Sequence, residues 1–206
     1  MVVDAAQSAP HMPIDVQDLD ADFIAFSLHK MLGPSGMGVL WGKAELLDGL
    51  RTISAGGETV ISSDYDAMKW AKSPHRFEGG LDNYAGILGS SAAIEYLSGM
   101  DMNAIHEHEI KLNSILTEGV KDLHGISIIG PQSASERGGI CSMITEGFDA
   151  HELAILLDEN AGIMVRSGMH CVHSWFRSRG YEDGSVRASF YFYNTEEEVR
   201  NFVDIF

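Results

Sequence analysis

Two cysteines and 14 lysine and arginine side chains are all that this 206-residue sequence has of those types, and each scarcity excludes something. Two cysteines in dissimilar contexts, Cys141 and Cys171, cannot form a disulfide framework, so a reducing compartment, the cytoplasm, is expected. Fourteen basic residues against 30 acidic ones leave a formal net charge of -16, which works against holding a phosphate backbone and removes nucleic acid from the expected partners. No apolar run approaches the ~20 residues of a membrane span. The N-terminus lacks the basic stretch of a secretory signal, and Asp4 interrupts its short apolar run. Hydrophobic residues make up 45% of the sequence, enough for a packed core in one or two domains.

The order of elements predicts two textures. Short apolar runs at 1–3, 23–27 and 38–41 read as strands buried on both faces. Pro10 to Asp22 suits a loop with a short helix, Gly33-Pro34-Ser35-Gly36 a turn, and residues 44–82 a loop-rich stretch. Asn83 caps a helix running to about Leu97, and Asp101 opens a second that carries Ile105, Leu112, Ile115, Leu116, Val120 and Leu123 at helical spacing. Beyond it, strands are expected at 126–129, 140–144, 163–165 and 186–190. Asp149-Ala150-His151-Glu152 and Thr195-Glu196-Glu197-Glu198 read as capping boxes, the first helix stopping near Gly162. The expected division is 1–99 and 100–206, the latter a compact α+β unit.

The chemistry concentrates around Lys30. It follows the apolar run Phe23-Ile24-Ala25-Phe26 through Ser27-Leu28-His29, while Asp4 closes the run Val2-Val3 with Gln7 close behind. An amine, a carboxylate and small phosphate donors at the ends of neighbouring strands are what pyridoxal 5'-phosphate requires: the lysine forms the imine and the carboxylate keeps the pyridine nitrogen protonated. A nucleotide phosphate loop at Gly33 to Gly38 is the competing reading. It fails because an apolar strand follows the glycines where such a loop needs a helix N-terminus.

Val3-Asp4-Ala5-Ala6-Gln7-Ser8, Phe26-Ser27-Leu28-His29-Lys30 with Gly33, Pro34 and Gly36, and Arg76-Phe77-Glu78-Gly79-Gly80 resemble the class V aminotransferases, which are fold type I pyridoxal-phosphate enzymes. Within that family, Arg166-Ser167-Gly168-Met169-His170-Cys171, Arg187-Ala188-Ser189 and Tyr193-Asn194-Thr195 resemble the cysteine desulfurases of the SufS type. The resemblance covers essentially the whole chain. It implies an α/β fold: residues 1–99 as the C-terminal portion of a large cofactor domain with a mostly parallel sheet, and 100–206 as a small α+β domain. By the same resemblance Lys30 is the Schiff-base lysine, Asp4 the partner of the pyridine nitrogen, Gln7 the contact to the ring oxygen, Ser27 and His29 phosphate ligands, and Arg187 the clamp on the substrate carboxylate.

Cys171 is then the sulfur acceptor. An ordinary cysteine, with pKa about 8.5, is only a few per cent thiolate at neutral pH, so a nucleophilic Cys171 needs positive or proton-accepting neighbours. Arg166 and His170 lie in the same loop and are the candidates. Cys141, inside the apolar run Gly139 to Ile144, reads as a small core hydrophobe. A metal site from His170, Cys171 and His173, or from His106 and His108, lacks a spaced second pair to complete a tetrahedral set. The expected reaction is conversion of L-cysteine to L-alanine with a persulfide on Cys171. A sulfur acceptor or iron–sulfur scaffold protein is the expected partner, and a homodimer the expected assembly. Selenocysteine lyase or another class V reaction is one alternative. A truncated fragment, or one half of a split enzyme inactive by itself, is another.

Overall fold

Pairing of short strands organises both halves of the protein, whose residues 1–206 are all described by a computed structural model. The backbone divides into two compact units, Met1–Asp101 and Met102–Phe206.

In the first unit, β1 (Val2–Asp4) runs parallel to β2 (Phe23–Ser27), with Asp4 opposite Ala25. Strand β3 (Gly38–Gly42) runs antiparallel on the other side of β2, giving the order β1-β2-β3. The connection from 10 to 22 is a series of turns with no helix. Ala5, Ala9, Ala21 and Ile24 form the core here, with Val3, Phe26 and Trp41 against them. The expected burial on both faces is not what the sheet has: Val2 is 75% exposed and Leu40 59%. The loop-rich stretch contains helix α1 (Ala44–Gly49) and a hairpin of β4 (Val60–Ser63) and β5 (Met68–Trp70). The Asp64 carboxylate turns that hairpin by accepting from the N–H groups of Asp66 and Ala67 at 3.0 and 2.8 Å. Helix α2 (Tyr84–Ser98) is capped by Asn83, whose side chain accepts from Gly86 N–H at 3.0 Å. Only its stripe of Gly86, Ser90, Ala93 and Leu97 is buried, while Ile87, Leu88 and Ile94 lie open.

The second unit is a four-stranded antiparallel sheet with helices on it. Its elements are α3 (Met102–Val120), β6 (Ile126–Ile128), β7 (Ile140–Thr145), α4 (Ala150–Ala161), β8 (Arg166–Gly168), α5 (His173–Ser178), β9 (Ser185–Ser189) and α6 (Glu196–Ile205). The sheet order is β6-β7-β9-β8. Strand β7 alternates strictly, burying Cys141, Met143 and Thr145, so one face meets the helices. Leu112, Leu116 and Val120 from α3, Val186 and Ala188 from β9, and Val199 and Phe202 from α6 complete this core. Thr195 and Glu198 form the full reciprocal capping box that opens α6.

The strand expected at 163–165 lies three residues later. Gly162 ends α4 in the left-handed region at φ 65°, and the N–H groups of Gly162 and Ile163 bond back to Asp158 and Leu157 at 2.8 and 3.2 Å. Ile163 and Val165 therefore pack on the core as the lead-out of a helix cap. Ladder pairing begins only where Arg166 meets Arg187. No helix of the protein is long and apolar enough to cross a membrane.

Candidate active site

The first unit gathers its candidates at one end of the parallel pair. Because β1 and β2 run the same way in register, Asp4 and the residues after Ser27 emerge at the same sheet edge. Asp4 Oδ1 closes a turn by accepting from Ala6 N–H at 3.0 Å. Gln7 lies exposed within that turn. Leu28, Lys30 and the intervening His29 form a single 3-10 turn. Leu28 is the plug of this turn, 1% exposed, with its N–H on Met37 O at 3.0 Å. Its carbonyl accepts from the N–H groups of both Met31 and Gly33 at 2.8 Å. A Cβ at Gly33 would stand 2.9 Å from that carbonyl oxygen, so only glycine lets the chain pass so close beneath Lys30. With Leu28 anchored, His29 is turned to solvent, and Lys30 is half-buried without an ion pair.

The second unit gathers a cationic cluster around a thiol. Arg166 on β8 and Arg187 on β9 are directly opposite in the ladder. Neither has a carboxylate partner, and Arg187 Nε is buried without a hydrogen-bond acceptor. Arg166 Nη2 lies 3.5 Å from the sulfur of Cys171, which is exposed. Burial and then the neighbouring Arg166 push the Arg187 pKa down, while Cys171 pulls it up. Burial, followed by Arg187 and Arg166, pushes the His170 pKa below its usual value, so this imidazole is neutral at neutral pH. Of the two neighbours expected to support a thiolate, Arg166 is thus the positive one. His170 instead shares a 2.9 Å hydrogen bond between Nε2 and Ser185 Oγ, leaving its buried Nδ1 free.

The backbone of this loop is unusual. His170 and Cys171 are successive non-glycine residues in the left-handed region, at φ 48° and 68°. They follow Gly168 at φ 102°, and Gly184 approaches so closely that a Cβ there would stand 2.6 Å from the Gly168 carbonyl carbon. Ser185, fully buried, and the His151–Ser167 pair at 2.7 Å complete the support. Sequence reasoning missed these three residues: a serine opening an apolar strand, a serine inside a motif and a histidine inside a capping box carry no distinguishing signal.

Other motif residues turn out to be structural. Arg76 Nη2 donates to the carbonyls of Leu47, Asp48 and Leu50 and so closes the end of α1. Asn194 accepts from Tyr191 N–H at 2.9 Å ahead of the α6 capping box. Cys141 is fully buried, receives a hydrogen bond from Arg137 at 3.2 Å, and has its thiol pKa raised by burial. No group of three or more His, Cys, Asp or Glu side chains is placed to hold a metal ion.

Residues 1–202 match the family described as aminotransferase class-V. A probable cysteine desulfurase of Streptomyces coelicolor is 42% identical over 202 residues, which are 98% of this chain and 48% of that protein. A cysteine desulfurase of Haloferax volcanii is 40% identical over 202 residues, or 98% of this chain and 47% of its own length. The solved structure of a cysteine desulfurase from Thermococcus onnurineus superimposes with a TM-score of 0.92 at 40% identity, covering 99% of this chain and 50% of that one. The chain therefore spans about half the length of the relatives it matches. With a match extending over nearly every residue, the chain belongs to the aminotransferase class-V family.

Proposed function

We propose that this chain is the C-terminal half of a pyridoxal 5'-phosphate-dependent cysteine desulfurase of the SufS type, with residues 1–99 from the cofactor domain and 100–206 the small domain. The observation that carries the reading is the exposed Cys171, 3.5 Å from Arg166 and beside the unpartnered Arg187. Two guanidinium groups without carboxylates of their own suit an amino-acid carboxylate, which a planar fork binds in bidentate fashion.

The first unit's donors fit the cofactor. A free amine on Lys30, the Asp4 carboxylate at the adjacent parallel strand end, and the uncommitted side chains of Ser27, His29 and Gln7 are a primary amine, a pyridinium partner and polar donors for a phosphate and a ring oxygen. Bound there, pyridoxal phosphate supplies an electron sink for the substrate carbons. Lys30 would hold the cofactor before substrate arrives and, with its amine free again, would move protons at the substrate's α-carbon. Asp4 keeps the ring nitrogen protonated. Arg187 orients the substrate carboxylate, with Arg166 beside it. Cys171 attacks the substrate sulfur as a thiolate: a sulfur–sulfur bond forms, the substrate's carbon–sulfur bond breaks, and its electron pair returns to carbon, which takes up a proton. Cysteine thereby becomes alanine, and Cys171 keeps the sulfur as a persulfide. We assign delivery of that sulfur to an acceptor or iron–sulfur scaffold protein in the cytoplasm, from a homodimer.

A second reading has a specific observation behind it: the chain covers 48% of its relative, and the apolar side of α2 is bare. On that reading the chain is inactive until the rest of the enzyme is supplied. The test incubates the chain, alone and with the remaining half of a relative, with pyridoxal phosphate and cysteine. Alanine release and a gain of one sulfur in the mass of Cys171 are expected. Alanine production that persists undiminished in Cys171→Ala overturns the persulfide route, and activity of the chain alone overturns the second reading.

A further inference from the structure

We propose that His151 and Ser167 are positioning residues that hold Arg166 against the thiol of Cys171. The proposal rests on Cys171 being the sulfur acceptor, but concerns how its loop is held.

His151 enters the structure by way of a helix cap. The Asp149 side chain accepts from His151 N–H at 2.8 Å and Glu152 N–H at 3.1 Å, which fixes the first turn of α4. That turn presents the His151 ring to β8, where Nδ1 meets Ser167 Oγ at 2.7 Å. The ring also lies over the next residue, since a Cβ at Gly168 would stand 3.4 Å from His151 Cε1. On Gly168 the backbone approach of Gly184 presses as well, and one residue before the thiol His170 is tied to Ser185. Strand β8 is only three residues long, Arg166 to Gly168, and is the outer strand of the sheet.

A three-residue edge strand has few ladder bonds to fix it. Its central residue, Ser167, is where α4 grips it, and Arg166 and Gly168 are the flanking positions. The Arg166 guanidinium reaches Cys171 at 3.5 Å, a distance that a small rotation of β8 would open. Arg166 is not held from elsewhere by any carboxylate. The grip of His151 on Ser167 is therefore what sets the distance between this positive charge and the sulfur. Neither residue touches the thiol itself. The charged and titratable groups around the thiol are Arg166 on β8, His170 next to it and Arg187 on β9, with His173 opening α5 just beyond.

The experiment compares alkylation of Cys171 in the full chain by anionic iodoacetate and neutral iodoacetamide, read by mass. Cys141 is fully buried, and its lack of modification confirms that each variant is folded. An arginine held near the sulfur favours the anion, so the rate ratio of the two reagents reports where Arg166 stands. His151→Ala and Ser167→Ala are each expected to lower the preference for iodoacetate by about fivefold, the worth of one hydrogen bond. The double variant is expected to lose no more than either single one. His151→Asn places an amide nitrogen near the position of Nδ1 and is expected to keep most of the preference. It is uncharged, so retention separates the hydrogen bond from any charge on the ring. An unchanged ratio in Ser167→Ala, additive losses in the double variant, or His151→Asn behaving as His151→Ala overturns the proposal. None of these readouts uses the cofactor, so a failed desulfurase assay leaves the result standing.

Discussion

His170 links the thiol loop to pH through two unfavourable surroundings, its own burial and the positive charges of Arg187 and Arg166. A histidine whose folded pKa lies below the unfolded value of about 6.5 binds fewer protons when folded. Its contribution is intact above that unfolded value and is lost as pH falls through the depressed folded one. Unfolding of the second unit by urea should accordingly grow easier between pH 7.5 and about 5.5, and His170→Gln should lessen that dependence. Equal slopes in both proteins would mean that other groups govern it. At Arg187, a lysine keeps the charge but loses the fork, so Arg187→Lys is expected to raise KM for cysteine in the reconstituted enzyme by about tenfold with a smaller effect on kcat. A purely kcat defect would count against the carboxylate role. The sequence made Arg166, His170 and Cys171 legible as neighbours because they share one loop, and Arg187 joins them through the ladder. That His170 is neutral and turned to Ser185 was not legible, because Ser185 is a fold-dependent neighbour 15 residues away.

Elements meet where side chains are absent as much as where they are large. Gly119 of α3 faces α6 so closely that a Cβ would stand 2.4 Å from Val203 Cγ1. Gly119→Ala gains about 1 kcal/mol of helix propensity, but it overpacks against a stiff β-branched side chain at about 1–3 kcal/mol. A net loss of stability is expected in urea titration, with Val203→Ala restoring much of it. Loss of the α6 cap by Thr195→Ala should cost about 1 kcal/mol in the same measurement. The capped helices were legible from the sequence, since Asn83, Asp149 and Thr195 act on their own neighbours. The β4–β5 hairpin was not, because Val60–Ser63 does not alternate, Met68–Trp70 is only three residues long, and their turn depends on one aspartate. Residues 163–165 misled for a related reason, as an apolar run at a helix cap has the same composition as a buried strand.

For the molecule as a whole, charge imbalance and ion pairing pull in opposite directions with salt. The ion pairs Lys43–Asp20, Lys43–Asp22, Lys111–Glu196, Lys121–Glu118 and Arg200–Glu196 are exposed to varying degrees, and pairs of that kind contribute little. Self-repulsion from a net charge of -16 is the larger effect, so moderate salt should raise the Tm measured by calorimetry. A falling Tm would show that the pairs matter more than their exposure suggests. The unequal setting of the two cysteines has its own consequence for handling and for regulation by oxidants. Cys141 is sealed in β7 and Cys171 stands open, so the folded chain should titrate with one equivalent of a thiol reagent and the denatured chain with two. Peroxide has one thiol to reach, and no second accessible thiol is there to resolve the sulfenic acid into an internal bridge. Oxidative damage should thus run either to irreversible sulfinic acid at Cys171 or to a covalent link with another molecule, visible as a doubled band on a non-reducing gel.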